Sequence, residues 1–249
     1  MKRIQAFLSF AMMILIPFSA SGSTIIVPRT EKELKNARYQ PPSPPGCVRE
    51  VRQTIVVNGV FDGGGCLFTW RGEGYPKYCR AMMSPEGLPP MFYLKPGATL
   101  RNLQLQCALD GIHTTENNLI ENIINRDVEE DAITIGKNIT IRNSRFYFCQ
   151  DKCLQMNSAS NVRIENNSFF HSSSPILANF GTKIKVLNNR FYHVRTAVRA
   201  RMRNGVKSSI EAADNQVKQA NCGFQETNGG RIKDKGGNTF KNVDKKECS

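Results

Sequence analysis

Between Gly97 and Val243, apolar and polar positions recur at intervals of roughly 20 to 26 residues, the range of β-solenoid coils. Asn102, Asn122, Asn143, Asn166 and Asn188 each follow a short β-prone stretch: ATLR, NLIE, ITIR, VRIE or IKVL. Three residues further on comes an apolar series, clearest at Phe146, Phe169, Phe191, Val217 and Phe240. A second short strand is predicted in each coil at GIHTT, AITI, CLQM, ILANF, VRARM and GFQE, with Asn, Gly, Ser and Asp turns between strands. Helical periodicity is missing here, and parallel coils explain how many short strands occur without hairpin spacing. Equivalent residues of stacked coils stand ~4.8 Å apart, so Phe and Asn ladders are expected as core and turn positions without chemistry.

These patterns predict a single all-β domain, a parallel β-solenoid with covered ends. Residues 1–22 read as a cleaved secretory signal, with a basic start at Lys2 and Arg3, an apolar stretch from Ala6 to Phe18 and small residues after it. That stretch is short for a bilayer span of ~20 residues, so a secreted mature protein without a membrane anchor is expected. Residues 23–53 are expected to form a cap and connector: Thr30 and Glu33 read as a capping box opening a short helix that closes the first coil, followed by the extended PPSPPG. Residues 54–243 are assigned to the coils and 244–249 to a lysine-rich tail, which a Cys222–Cys248 bond would pin.

Composition narrows the setting. All eight cysteines lie beyond the signal, an even number that suggests disulfides in an exported chain. Zinc is disfavoured, because no CxxC pair occurs and His113, His171 and His193 are scattered. The formal charge of +13 falls only to +11 when Lys2 and Arg3 leave with the signal. For an exported protein this points to an anionic polysaccharide or a cell surface. Nucleic acid is not expected, since aromatic residues do not interleave with the basic ones.

Register then isolates one group of charges. Asp110, Asp131 and Lys152 are each 21 residues apart, and each immediately precedes the second strand of its coil. Two carboxylates ~5 Å apart repel by about 3 kcal/mol at an effective dielectric of 20, and Glu130 adds a third negative group. Lys152 pairing with Asp131 would answer that charge, and so would calcium, a hard cation that takes six to eight oxygen ligands. Glu121, Asp127 and Glu129 are read as solvated turn charges.

The segments FDGGG at 61 to 65, GATLRNLQL at 97 to 105, DGIHT at 110 to 114, EDAIT at 130 to 134 and DKCLQ at 151 to 155 together resemble the ordered motifs of the pectate lyases of the third polysaccharide lyase family. The likeness covers roughly Thr54 to Val243 and implies a right-handed parallel β-helix that is calcium-dependent and cleaves polygalacturonate by β-elimination. By resemblance, calcium falls to Asp110, Glu130 and Asp131, and the base to Lys152. A lysine acts as a base only in its neutral form, so an alkaline optimum is expected. The family usually presents a GKLxR pattern on the next coil, where this chain has Ser174 to Ala178. Arg199 is expected on the outward stripe with Thr134, Gln155 and Ala178, one coil beyond the family arginine, and is assigned a catalytic role. Gln155, Arg199 and Arg201 are assigned to substrate binding. A monomer is expected.

Two other functions stay open at this point. A β-helix could bind acidic polysaccharide without turnover, which the missing arginine favours. A polygalacturonase-like hydrolase would use an acid and a base carboxylate, with Arg231 to Lys233 as its RIK triplet. Lys152 has no part in that mechanism, and the Gly-His-Gly segment expected there is absent.

Overall fold

A computed structural model describes residues 31–72, 89–128 and 130–249. The proposed signal and Thr30 lie outside the described residues. The chain winds into a right-handed parallel β-solenoid of about 8 turns. Among the described residues, the named strands pair in parallel between consecutive coils and form three faces. One face stacks Ile55–Val57, Pro90–Leu94, Asp110–His113, Asp131–Ile135, Lys152–Asn157 and Ser174–Asn179. It carries the second strands read from the sequence.

The expected apolar column is continuous: Phe146 pairs with Phe169, Phe169 with Phe191, Phe191 with Val217 and Val217 with Phe240. Phe146, Phe169 and Phe191 are fully buried, and each ring stacks on the next with centroids 5.0 Å apart. Stacking adds to the area that burial alone removes from water. Asn102, Asn122, Asn143, Asn166 and Asn188 all sit at φ between 51° and 58°, a left-handed corner that asparagine tolerates better than most residues. A second amide column follows directly. The side-chain oxygens of Asn167, Asn189, Asn215 and Asn238 each accept a backbone N–H from the coil before, so buried turns keep their donors satisfied.

The two ends are tied down differently. The helix is present at Glu31–Lys35, and the chain after it follows a flank of the middle coils. Tyr39 N–H donates to His171 Nε2 at 3.1 Å, its ring packs on Phe170 and Tyr192, and the Pro42 carbonyl accepts from Arg126. Aromatic side chains on the outer surface supply an apolar seat that a tail of charged coils would not. At the other end the strand Thr239–Cys248 pairs with Gln216–Thr227, so the segment expected as a tail from 244 is strand. The Cys222–Cys248 disulfide is formed, alongside Cys47–Cys66 and Cys149–Cys153, and no described cysteine is free.

Candidate functional site

Asp110, Asp131 and Lys152 stand in one column. Ile112 pairs with Ile133, which sets Asp110 level with Asp131, and Asp131 pairs directly with Lys152. Close stacking here depends on Gly111, where an added Cβ would lie 2.2 Å from the Ala132 carbonyl oxygen. Only glycine lets the two acidic coils approach this far. The Cys149–Cys153 bridge closes the loop that leads into Lys152 and fixes where its strand begins.

The charges in this column are scarcely hydrated. The side chain of Asp131 is 3% exposed and that of Lys152 12%. Lys152 Nζ lies 3.5 Å from Asp131 Oδ1 and also pairs with Asp151. Burial raises the Asp131 pKa to about 8; Lys152 opposes that shift, while Asp151, Asp110 and Glu130 add to it. Asp110 is held on its own strand, with Oδ2 2.5 Å from His113 Nε2.

Asp110 Oδ1 and Asp131 Oδ1 are both buried without a hydrogen-bond partner. Buried carboxylate oxygens normally have partners, so two orphans on adjacent coils mark a place that suits a hard cation. Among the described residues, however, no three His, Cys, Asp or Glu side chains are drawn together as a finished metal cluster. The trio Asp110, Glu130 and Asp131, expected to converge, is therefore represented by two available oxygens. His113 holds the other oxygen of Asp110, and Lys152 stands beside Asp131. The donor chemistry fits calcium, with Glu130 next to Asp131 in the chain.

A groove of about 760 Å³ runs over this column. Asp110, Glu130, Asp131, Lys152, Gln155 and Arg201 all line it, so these expected residues are brought together. Arg199 is outside that lining. Its Nε donates to Gln225 Oε1 at 2.7 Å, one coil further from Lys152, and burial lowers its pKa. Ala178 is a correction: it pairs with Met156 and is fully buried, and Leu177 takes the stripe position between Gln155 and Arg199. The reason is coil length, because Lys152 pairs with Ser174 and the interval is therefore 22 residues throughout that strand.

Sequence reasoning also missed His113, Asn157, Asn179 and Arg203 as groove residues. His113 was legible from its place three residues after Asp110, whereas Arg203 lies just past the strand Arg190–Arg201 at the start of a turn closed on Val206, whose path no spacing reveals. Asp127, read as solvated, is buried, and Glu121 is paired with Arg142, while Glu129 lies outside the described residues.

Comparison with known proteins agrees with this arrangement. A family model described as pectate lyase matches residues 39–229. A curated Aspergillus fumigatus protein named "probable pectate lyase F" is 30% identical over 118 residues, 45% of this chain and 49% of that protein. The chain thus matches about half the length of that relative.

Proposed function

The chain belongs to the pectate lyase family, and from that premise we propose that it is a secreted, calcium-dependent lyase cleaving polygalacturonate by β-elimination. The observation that carries the reading is the column itself: two acidic side chains each with a buried orphan oxygen, and a lysine one coil on, all lining one groove. Asp110, Glu130 and Asp131 would hold calcium, which supplies positive charge against the uronate carboxylate as the adjacent proton departs.

The remaining work falls to the chain's own side chains. Lys152, in its neutral form, takes the C5 proton of a galacturonate residue. The C–H electron pair becomes the C4–C5 double bond while the C4–O glycosidic bond breaks, and the released oxygen is protonated from solvent. Gln155 and Arg201 hold the chain along the groove, with Arg201 offering a cation to a second carboxylate. Arg199 acts on the same polymer only by giving up its bond to Gln225. Disulfides and the fungal relative support an extracellular setting.

The test is incubation with polygalacturonate and calcium while following the ultraviolet absorbance of an unsaturated uronide. The expected result is a rising chromophore, an optimum at alkaline pH, and a fall of at least about 100-fold in Lys152→Ala with the fold retained. Reducing ends without the chromophore would indicate hydrolysis. Retention of the polymer with neither product would favour the binding-protein reading, which the apolar Leu177 in the stripe supports.

A further inference from the structure

We propose that His113 is a positioning residue for the cation site, turning Asp110 so that one carboxylate oxygen is committed to the imidazole and the other is left for the metal. The proposal rests on the calcium-dependent reading above. The geometry gives His113 this task. Its Nε2 lies 2.5 Å from Asp110 Oδ2, so this nitrogen carries the shared proton toward the carboxylate. The opposite oxygen, Oδ1, is buried and makes no hydrogen bond.

A carboxylate with one oxygen fixed has lost rotation about its last bond, and its free oxygen keeps one direction. Ligating side chains are commonly fixed in this way by a partner behind them, and removing that partner weakens metal binding by roughly 10- to 100-fold. The next coil supplies an independent sign that a cation belongs here. Asp131, 3% exposed, also has an orphan Oδ1. Lys152 Nζ is 3.5 Å from that atom, at ion-pair distance but without a hydrogen bond. His113 itself is 30% exposed in its side chain and lines the groove, so an ion or a substrate reaches Asp110 past its edge.

Titrating the full mature chain with calcium chloride alone, by calorimetry, reads this role without substrate. His113→Ala should bind calcium at least about tenfold more weakly than the parent, while still folding cooperatively without calcium. His113→Gln, whose amide N–H can replace the imidazole donor, should recover most of the affinity. Equal or tighter binding by a folded His113→Ala overturns the proposal, and so does failure of the glutamine to improve on the alanine. Should the parent chain itself take up no calcium, the calcium-dependent reading falls and this proposal with it; normal uptake by the parent and by His113→Ala sinks only the role of His113.

Discussion

Two charged columns climb this solenoid, and they settle their charge in opposite ways. In the first, Asp62, Arg101, Glu121 and Arg142 pair coil by coil, alternating in sign. Arg101 Nε donates to Asp62 at 2.9 Å, and Arg142 to Glu121 at 2.7 and 2.9 Å. In the second, Asp110 and Asp131 repeat the same sign and are more deeply buried. Stacking makes every side chain the neighbour of its equivalent, so sign order alone decides whether a column neutralises itself. The alternating column needs nothing from outside. The like-signed column keeps unsatisfied oxygens, and those oxygens are where a ligand has something to gain.

A third column tests that distinction most strongly because it changes type with pH. Phe148, His171 and His193 stack on one flank, and His171 Nδ1 is 3.0 Å from His193 Nδ1. Burial, aided by His193, pushes the His171 pKa down to about 4, and burial also lowers that of His193. Tyr39 N–H already donates to His171 Nε2, so the shared proton sits on Nδ1 and His193 accepts it. An unfolded histidine titrates near ~6.5. The folded chain is therefore fully favoured above that value and loses stability as pH falls from about 6.5 to about 4, by on the order of 3 kcal/mol for His171. Chemical denaturation across this window should show the loss, and His171→Gln, which can still accept from Tyr39, should flatten it. An unchanged slope in that variant would separate the acid sensitivity from this column.

The core column, the asparagine corners and the like-signed column were legible in the sequence, whereas the alternating and histidine columns were not: Glu121 read as a solvated charge, and His171 and His193 as scattered. Phe146, Phe169 and Phe191 announce themselves because a core position repeats its residue type, and the left-handed Asn corners do so for the same reason. Asp110, Asp131 and Lys152 were placed in one column by equal spacing alone, and the pairing agrees. Equal spacing then failed. The interval lengthens from 21 residues at Lys152 to 22 at Ser174, which moves Leu177 into the place read as Ala178. Nor does the sequence show that Tyr39 lies against His171, a contact across 132 residues that no periodicity encodes. Local repetition writes the coils, whereas the flank segment and the direction of Arg199 depend on what happens to be adjacent in space.

Asp131 is the place to convert the like-signed column into a neutral one. Asp131→Asn removes a carboxyl group that folding must either protonate, as its pKa of about 8 shows, or bury charged and almost without water beside another carboxylate one coil away, a repulsion worth at most about 3 kcal/mol at an effective dielectric of 20. Lys152 keeps Asp151 as a partner. The calcium-free variant should therefore melt higher than the parent, by an amount equivalent to about 1 to 2 kcal/mol. It should also lose the increase in melting temperature that calcium gives to a protein that binds it in the folded state. Scanning calorimetry with calcium and with a chelator reads both effects. A variant that melts lower without calcium would mean that the Lys152 contact outweighs the repulsion.

The matching change in the alternating column should do little, and that small effect is the control on which the comparison depends. Arg142→Ala removes the partner of Glu121, whose side chain is 20% exposed, while Arg142 itself is 41% exposed. Water reaches both groups, so the lost attraction is screened and the freed carboxylate is rehydrated. Arg101 also remains 4.0 Å from Glu121 and takes up part of its charge. The expected cost is about 0.5 to 1 kcal/mol, falling further in high salt, with no change in calcium affinity or lyase rate. A loss of several kcal/mol would show that the alternating column carries stability as a network instead of as separate pairs. The contrast would then lie in burial and not in the order of signs.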